Sequence, residues 1–263
     1  MPVFKSLGFC GGGRVTYLLL RGLQHRKTLP EMVLVHDPDQ SHIANIQAIS
    51  VENIKPVNNN TEAAQADVVF LAVHPPVIET VIGEIKHQLK PTTIIVSLIP
   101  MVTIQRLKEL LDGFDRIVRM IPNAPSMIGK GYNPVVFSPT LNNQEKAALL
   151  KIFENWGESP EVAEEQLEAY AILTGMGPTY FWFQWLELVR LAKEFGLEED
   201  AAHKALNAML TGAVETLFNS GLPAEKVLDL IPAYPLKKQE DAIRQVFSEK
   251  LTNLFQKLTQ GKK

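Results

Sequence analysis

Cysteine is nearly absent from this chain of 263 residues. The single one, Cys10, rules out an intrachain disulfide and points to a reducing, cytoplasmic compartment. With six scattered histidines and no second thiol, a Cys/His zinc site has no support, and no metal is expected. Positive charge is not in excess either: 26 Lys and Arg stand against 29 Asp and Glu, a net charge of -3. Without a basic footprint, neither nucleic acid nor an anionic membrane is expected as a partner. Long apolar runs are also missing. "DVVFLAV" (67–73) and "TIIVSLIPMV" (93–102) are too short to span a bilayer and suit buried strands. The opening "MPVFKSLGF" has none of the charged, apolar and cleavage regions expected of a signal peptide.

What is present is a change of period along the chain. Up to about residue 158, short β-rich runs ("VFKSLGF", "EMVLVHD", "ADVVFLAV", "TTIIVSL", "RIVRMIP" and "YNPVVFS") alternate with helical patterns. That alternation implies parallel βαβ units with helices on both sheet faces. "NNQEKAALLKIFENWG" follows as a helix capped by Asn142 or Asn143 and stopped at Gly157. Beyond "GESPEVAEE" strand signals all but vanish. Ala202, Ala205, Leu206, Met209, Leu210, Ala213 and Leu217 share one helical stripe; Ile243, Val246, Phe247, Leu251, Leu254, Phe255 and Leu258 share another. The expected architecture is an α/β Rossmann-type domain (1–158) followed by an all-helical domain (159–263).

The first strand runs into "GFCGGGRVTYLLLRGL" (8–23), four glycines in six positions before a helix. Strand, turn and helix in that order form the context of a dinucleotide fingerprint. Gly11 makes the tight turn, Gly13 lets backbone N–H groups approach a pyrophosphate, and Thr16 holds the third, small position. The helix N-terminus adds partial positive charge. The competing reading is a tight βα turn that binds nothing. Cys10, inside the turn, is expected to be a packed residue and not a nucleophile. The second strand ends "VLVHDPD", where Asp37 suits the ribose 2′-hydroxyl of NAD and would repel a 2′-phosphate. Asp37 as a turn cap is the alternative, and His36, His42 and Arg14 remain able to receive a phosphate. NADP therefore stays open beside a lean to NAD.

Four stretches taken together resemble the pyrroline-5-carboxylate reductase family. They are the glycine turn, "ADVVFLAVHPPVI" (with His74 where the family usually has Lys), "RMIPNAPSMIGKG" (119–131, with Ala124 for a usual Thr) and "LTGMGPTYFWFQWLEL" (173–188). The resemblance covers about residues 3 to 190. It implies a Rossmann domain, a helical domain that forms a homodimer, and reduction of a cyclic imino acid with NAD(P)H in proline biosynthesis. The implied cofactor contacts are Gly8, Gly11, Gly12, Gly13, Arg14 and Val15; His36 and Asp37; Asn59; and Ala72, Val73, His74 and Pro75. Asn123, Gly175, Met176, Gly177 and Pro178 would lie toward the small-molecule substrate, with Thr174 and Thr179 as the polar candidates for catalysis.

The residues of "TGMGPTYFW" support such a site by themselves. Pro178 suits a first helical turn, and Gly175 and Gly177 keep side chains away from a helix N-terminus that could take a carboxylate. The alternatives are a glycine-rich start to a packing helix, with Thr174 or Thr179 as mere caps. Tyr180, Phe181, Trp182, Phe183 and Trp185 ring the helix, which suggests burial between helices or in a dimer. Two features depart from the family. Met176 stands where its serine hydroxyl would be. "SGLPAEKVLDLIPAYPLKK" (220–238) replaces a turn with paired Gly and Thr.

The function expected is hydride transfer from NAD(P)H to the C=N, or C=O, of a small imino or keto acid. An iminium substrate carries its own proton, so no general acid is required of the protein. The departures motivate one alternative, a catalytically silent nucleotide-binding dimer acting as sensor or scaffold. Another is an NADP reductase using a deazaflavin.

Overall fold

The computed structural model describes residues 4–260. Its first strands come from the short β-rich runs: β1 (Ser6–Cys10), β2 (Met32–His36), β4 (Val68–Leu71), β5 (Ile94–Ser97) and β6 (Ile117–Met120). Val3, at the head of the first expected strand, lies outside the described residues. "YNPVVFS" splits into β7 (Gly131–Tyr132) and β8 (Val135–Phe137) around Asn133 and Pro134. A strand the pattern did not announce, β3 (Ile54–Pro56), closes one edge. The main sheet has seven strands in the order β3-β2-β1-β4-β5-β6-β8, parallel except for β8 against β6.

The helices between the strands are α1 (Arg14–Arg26), α2 (Gln40–Gln47), α3 (Asn60–Ala63), α4 (Ile78–Ile85) and α5 (Ile104–Leu110). They cover both faces of the sheet, which is why β1, β4, β5 and β6 are buried throughout. Leu7, Phe9, Phe70, Leu19, Leu20, Leu23 and Trp156 share one core. Val69, Leu71, Ile82, Ile85, Ile95 and Leu107 share the other. Successive residues of β4 alternate between the two, as the period of a strand requires.

The next helix, α6 (Asn143–Phe153), is capped by Asn142. Its Oδ1 accepts from the N–H groups of Gln144 (2.9 Å) and Glu145 (3.0 Å), while Glu145 accepts from Asn142 N. Gly157 then turns the chain at φ 122° and opens β9 (Gly157–Glu158) beside β7. A Cβ there would sit 2.2 Å from the Gly131 carbonyl, so only glycine fits.

Two compact units result. One runs through Met176 and is completed by the segment from Leu254; the other is Gly177–Asn253. The position expected for the domain boundary, 158/159, falls inside the first unit. Backbone bonds from Asn133 N to Glu158 O (2.8 Å) and Val135 N to Pro160 O (2.9 Å) hold the following segment to the sheet. It leads into α7 (Leu167–Tyr170) and a π-helical turn, Ala171–Gly175.

The second unit contains α8 (Pro178–Glu194), α9 (Glu199–Asn219), α10 (Ala224–Leu228) and most of α11 (Glu240–Gln260). Tyr180 and Phe181 pack on Phe247 at ring separations of 6.0 and 6.2 Å. Burial here is sparse. No residue of α8 is buried, and of the α9 stripe only Ala202 is. Phe183 is 66% exposed and Phe218 74%. Among the described residues no helix is long and apolar enough to cross a membrane.

Candidate functional site

The carboxyl ends of the parallel strands share one edge of the sheet, and chain order reverses between β1 and β4. In such sheets the crevice at the reversal is where ligands bind. The glycine loop sits there. Gly11, at φ 104°, donates its N–H to His36 O (2.8 Å), and a Cβ on it would lie 2.5 Å from Ala72 O. Ala72 N in turn donates to Cys10 O (2.8 Å). Thr16 is buried and donates to Gly11 O at 2.6 Å, which explains how a hydroxyl residue serves the third, small position. Gly13 caps α1 without a side-chain bond, has open space where a Cβ would go, and is followed by no acidic residue in the first turn. Uncapped N–H groups, a helix dipole and room for close approach suit a phosphate group.

Asp37 lies against this loop. Its Oδ2 accepts from Gly12 N at 2.7 Å, its Oδ1 accepts from Asp39 N at 2.8 Å, and His42 Nδ1 is 3.2 Å from Oδ1. The turn-cap and ribose-binding readings of Asp37 are thus compatible, since one carboxylate holds the loop and remains at its surface. Beside it opens a cavity of about 460 Å³ lined by Gly12, Gly13, Arg14, Tyr17, His42 and Asn45. Val15 is half-buried against the first core, and His36 Nδ1 is 3.2 Å from Val57 O.

Other expected cofactor residues serve local structure. Gly8 is inside β1, where a Cβ would meet Ala63 O at 2.0 Å; its missing side chain admits α3. Asn59 is exposed and caps α3, its Oδ1 accepting from Glu62 N at 2.9 Å. Val73, His74 and Pro75 follow β4 at the same sheet edge as the loop, with His74 exposed. Cys10 is fully buried, and burial, aided by the charge of Glu84, pushes its thiol up to about 12. It is a packed residue.

Asn123 ends the β6 segment and is buried. Its Oδ1 accepts from Tyr132 N (3.2 Å), and its own N–H donates to Asn133 Oδ1 (3.1 Å), which also accepts from Ser126 Oγ (2.7 Å). Gly175 comes to the same place: a Cβ on it would be 3.3 Å from Ile121 Cγ2. The helix start expected at Pro178 is where α8 begins, and the unannounced feature is the π-helical turn over Ala171–Gly175 that precedes it, closed by Met176 N to Ala171 O at 2.9 Å. The cause is Pro178, whose ring would collide with the carbonyl four residues back, that of Thr174. Gly177, with helical φ and ψ, precedes α8 without a side-chain cap of its own, and Thr174 Oγ1 donates to Tyr170 O at 2.9 Å. Met176 and Pro178 are half-buried and Thr179 is exposed.

One feature at this edge went unread in the sequence. Arg119 of β6, 1% exposed, donates to Glu164 Oε1 (2.8 Å) and Glu168 Oε1 (2.9 Å). The Arg–Met–Ile–Pro–Asn motif gave the arginine, but nothing local signals acidic partners more than 40 residues away.

The chain matches the family model described as NADP oxidoreductase coenzyme F420-dependent over residues 6–100, the glycine-loop half of the first unit. It is 26% identical over 230 residues to pyrroline-5-carboxylate reductase of Escherichia coli (strain K12), covering 86% of this chain and 84% of the relative. It is 25% identical to pyrroline-5-carboxylate reductase 3 of Bos taurus, covering 83% and 70%. Among solved structures, a pyrroline-5-carboxylate reductase from Coxiella burnetii shares 26% identity with a TM-score of 0.70, covering 98% of this chain and 95% of that one. The Plasmodium falciparum pyrroline carboxylate reductase with NADP bound shares the fold at a TM-score of 0.84, with 20% identity and 98% coverage of each chain. Motifs, relatives and fold agree in one likeness, to pyrroline-5-carboxylate reductases.

Proposed function

We propose that this protein is an NAD(P)H-dependent reductase that converts pyrroline-5-carboxylate, or a close cyclic imino acid, to its saturated amino acid. The observation that carries this reading is the uncapped, open Gly13 turn with Asp37 bonded to Gly12, set where the sheet order reverses. A dihydronicotinamide cofactor held there would supply the hydride that reduces the imine carbon. The residues of the chain do the rest. Gly13 and the start of α1 hold the pyrophosphate by backbone N–H groups, the N–H groups of Gly11 and Gly12 being given to His36 O and Asp37 Oδ2, and Asp37 accepts from the ribose hydroxyls. The nitrogen of an iminium is already protonated, so no side chain need deliver a proton. Placement of the substrate beside Asn123 and at Thr174–Met176 is supported by the motif resemblance and by the approach of Gly175 to Ile121; a part for Gly177, Pro178 and Thr179 rests on the motif resemblance alone.

Asp37 supports NADH as the preferred form, since a 2′-phosphate would meet its charge. The exposed apolar faces of α8 and α9 support a homodimer: a C2 partner is the simplest cover for surfaces such as Phe183, Leu186 and Phe218. A sedimentation mass near 29.3 kDa at micromolar concentration would refute that.

The test of the function is titration with NADH and NADPH, then addition of pyrroline-5-carboxylate with absorbance followed at the nicotinamide band. Turnover with proline as product supports the reading. Tight cofactor binding with no turnover would overturn the substrate assignment and leave a silent nucleotide-binding protein.

A further inference from the structure

The buried charge cluster around Arg119 lies close to the candidate site yet outside it. Its members come from three places in the chain. Arg119 is on β6; Glu164 and Glu168 lie on the segment that leads into the π-helical turn; and two backbone N–H groups come from the loop after β5 and the first residue of α5. Glu168 Oε1 accepts from Met101 N at 3.3 Å as well as from Arg119, and Glu164 Oε1 accepts from Ile104 N at 2.7 Å as well as from Arg119. Met101 is held at φ 74°, a left-handed conformation that a non-glycine residue adopts only under constraint. The same segment is fixed again at its other end, where Gly175 packs on Ile121, two residues beyond Arg119.

Stability alone is a poor account of such a group. Burying an arginine with carboxylates costs desolvation that the attraction roughly offsets, and apolar replacement of a whole pair is often neutral. What an arginine fork does offer is fixed geometry toward two carboxylates at once. Each carboxylate here then reaches the backbone of the β5 loop. Deepening the reductase reading, on which it rests, we infer that Arg119 is a positioning residue: through Glu164 and Glu168 it sets the β5 loop at Met101 and the π-helical turn at Thr174–Gly175 against the carboxyl edge of the sheet, where the imino acid is reduced. The glycine loop is held instead by His36, Asp37 and Thr16, so cofactor binding is expected to be independent of the cluster.

The experiment compares the full-length protein with Arg119→Met/Glu168→Leu, which removes the two fully buried charges together and leaves only the partly exposed Glu164, still bonded to Ile104 N, and with Arg119→Lys, which keeps charge but not the fork. Two readouts are taken. In kinetics, the double variant is expected to lose at least tenfold in kcat/KM for pyrroline-5-carboxylate, with KM for the imino acid raised, while the NADH Kd stays within twofold. Arg119→Lys falls between the double variant and wild type. In amide exchange, Met101–Ile104 and Ile172–Met176 are expected to exchange at least tenfold faster than in wild type, with Gly11–Val15 unchanged. Unaltered kcat/KM with unaltered exchange overturns the inference. A parallel loss of NADH affinity also overturns it, because that is general loosening. If the double variant does not fold, Arg119→Lys decides by the same two criteria. Should wild type itself be inert toward pyrroline-5-carboxylate, the substrate reading fails, and the exchange pattern still decides whether the clamp exists.

Discussion

Gly11 and Gly13 are two residues apart in one loop, and the structure gives their replacement by alanine opposite consequences. At Gly11 a methyl group would lie 2.5 Å from Ala72 O and 2.8 Å from Ala72 C, at φ 104°. The left-handed backbone costs about 1–2 kcal/mol for an L-residue, and forcing atoms into a packed site adds about 1–3 kcal/mol. Gly11→Ala is therefore expected to lose about 2–5 kcal/mol of stability with or without ligand. At Gly13 the methyl meets no atom within 4 Å. Alanine is the poorer N-cap by about 0.5–1 kcal/mol, but it lowers the entropy of the unfolded chain by a similar amount, about 0.4–1 kcal/mol. Gly13→Ala should unfold within about 0.5 kcal/mol of wild type by these terms. Its methyl nevertheless enters the space a pyrophosphate would use, so the NADH Kd should rise at least tenfold, about 1.4 kcal/mol. Urea unfolding and fluorescence titration of both variants measure the contrast. Wild-type NADH affinity in Gly13→Ala would refute the pyrophosphate reading of the loop, and wild-type stability in Gly11→Ala would refute its geometry.

Asp37→Ser should move preference toward NADPH by at least tenfold in the ratio of Kd values, since Arg14 and His42 line the adjoining cavity and the repelling carboxylate is gone; an unchanged ratio would remove Asp37 from cofactor selection. Cys10, with its thiol pushed up to about 12 by burial, stays protonated at pH 8, and the thiolate is the reactive form. It should resist alkylation in the native protein and react at once in urea, and rapid native labelling would contradict its burial.

The sheet was legible wherever a strand is buried on both faces, because such strands must be apolar runs: β1, β4, β5 and β6 all stand in the sequence as such. Strand β3 was not. Its three residues, Ile54, Lys55 and Pro56, include one buried side chain and two exposed ones, too short a run for any period to emerge. The glycine loop was readable because steric demand leaves only one residue type at Gly11. The π-helical turn was not, since proline at a helix start and proline at a bulge look alike until the preceding carbonyls are placed. Pairing of Arg119 with Glu164 and Glu168 depends on tertiary approach, and a charged residue on a strand carries no mark of its partner. The segment after Glu158 reads as a linker by its Ser, Pro and Glu content, yet its backbone bonds to β8 make it part of the first unit.

Division of the chain between its two units also bears on the order in which the molecule can be made. The helical unit, Gly177–Asn253, is inserted into the first, whose last portion begins at Leu254 and includes the buried Leu258. Synthesis therefore delivers the sheet, then the whole insert, and only afterwards the piece that completes the earlier unit. Until that piece emerges, the growing chain carries a first unit still open where its last segment belongs and helices whose apolar faces have yet to find a partner. Chaperone dependence during synthesis is thus expected to be greatest late, between emergence of α8 and of α11, when both surfaces are open together.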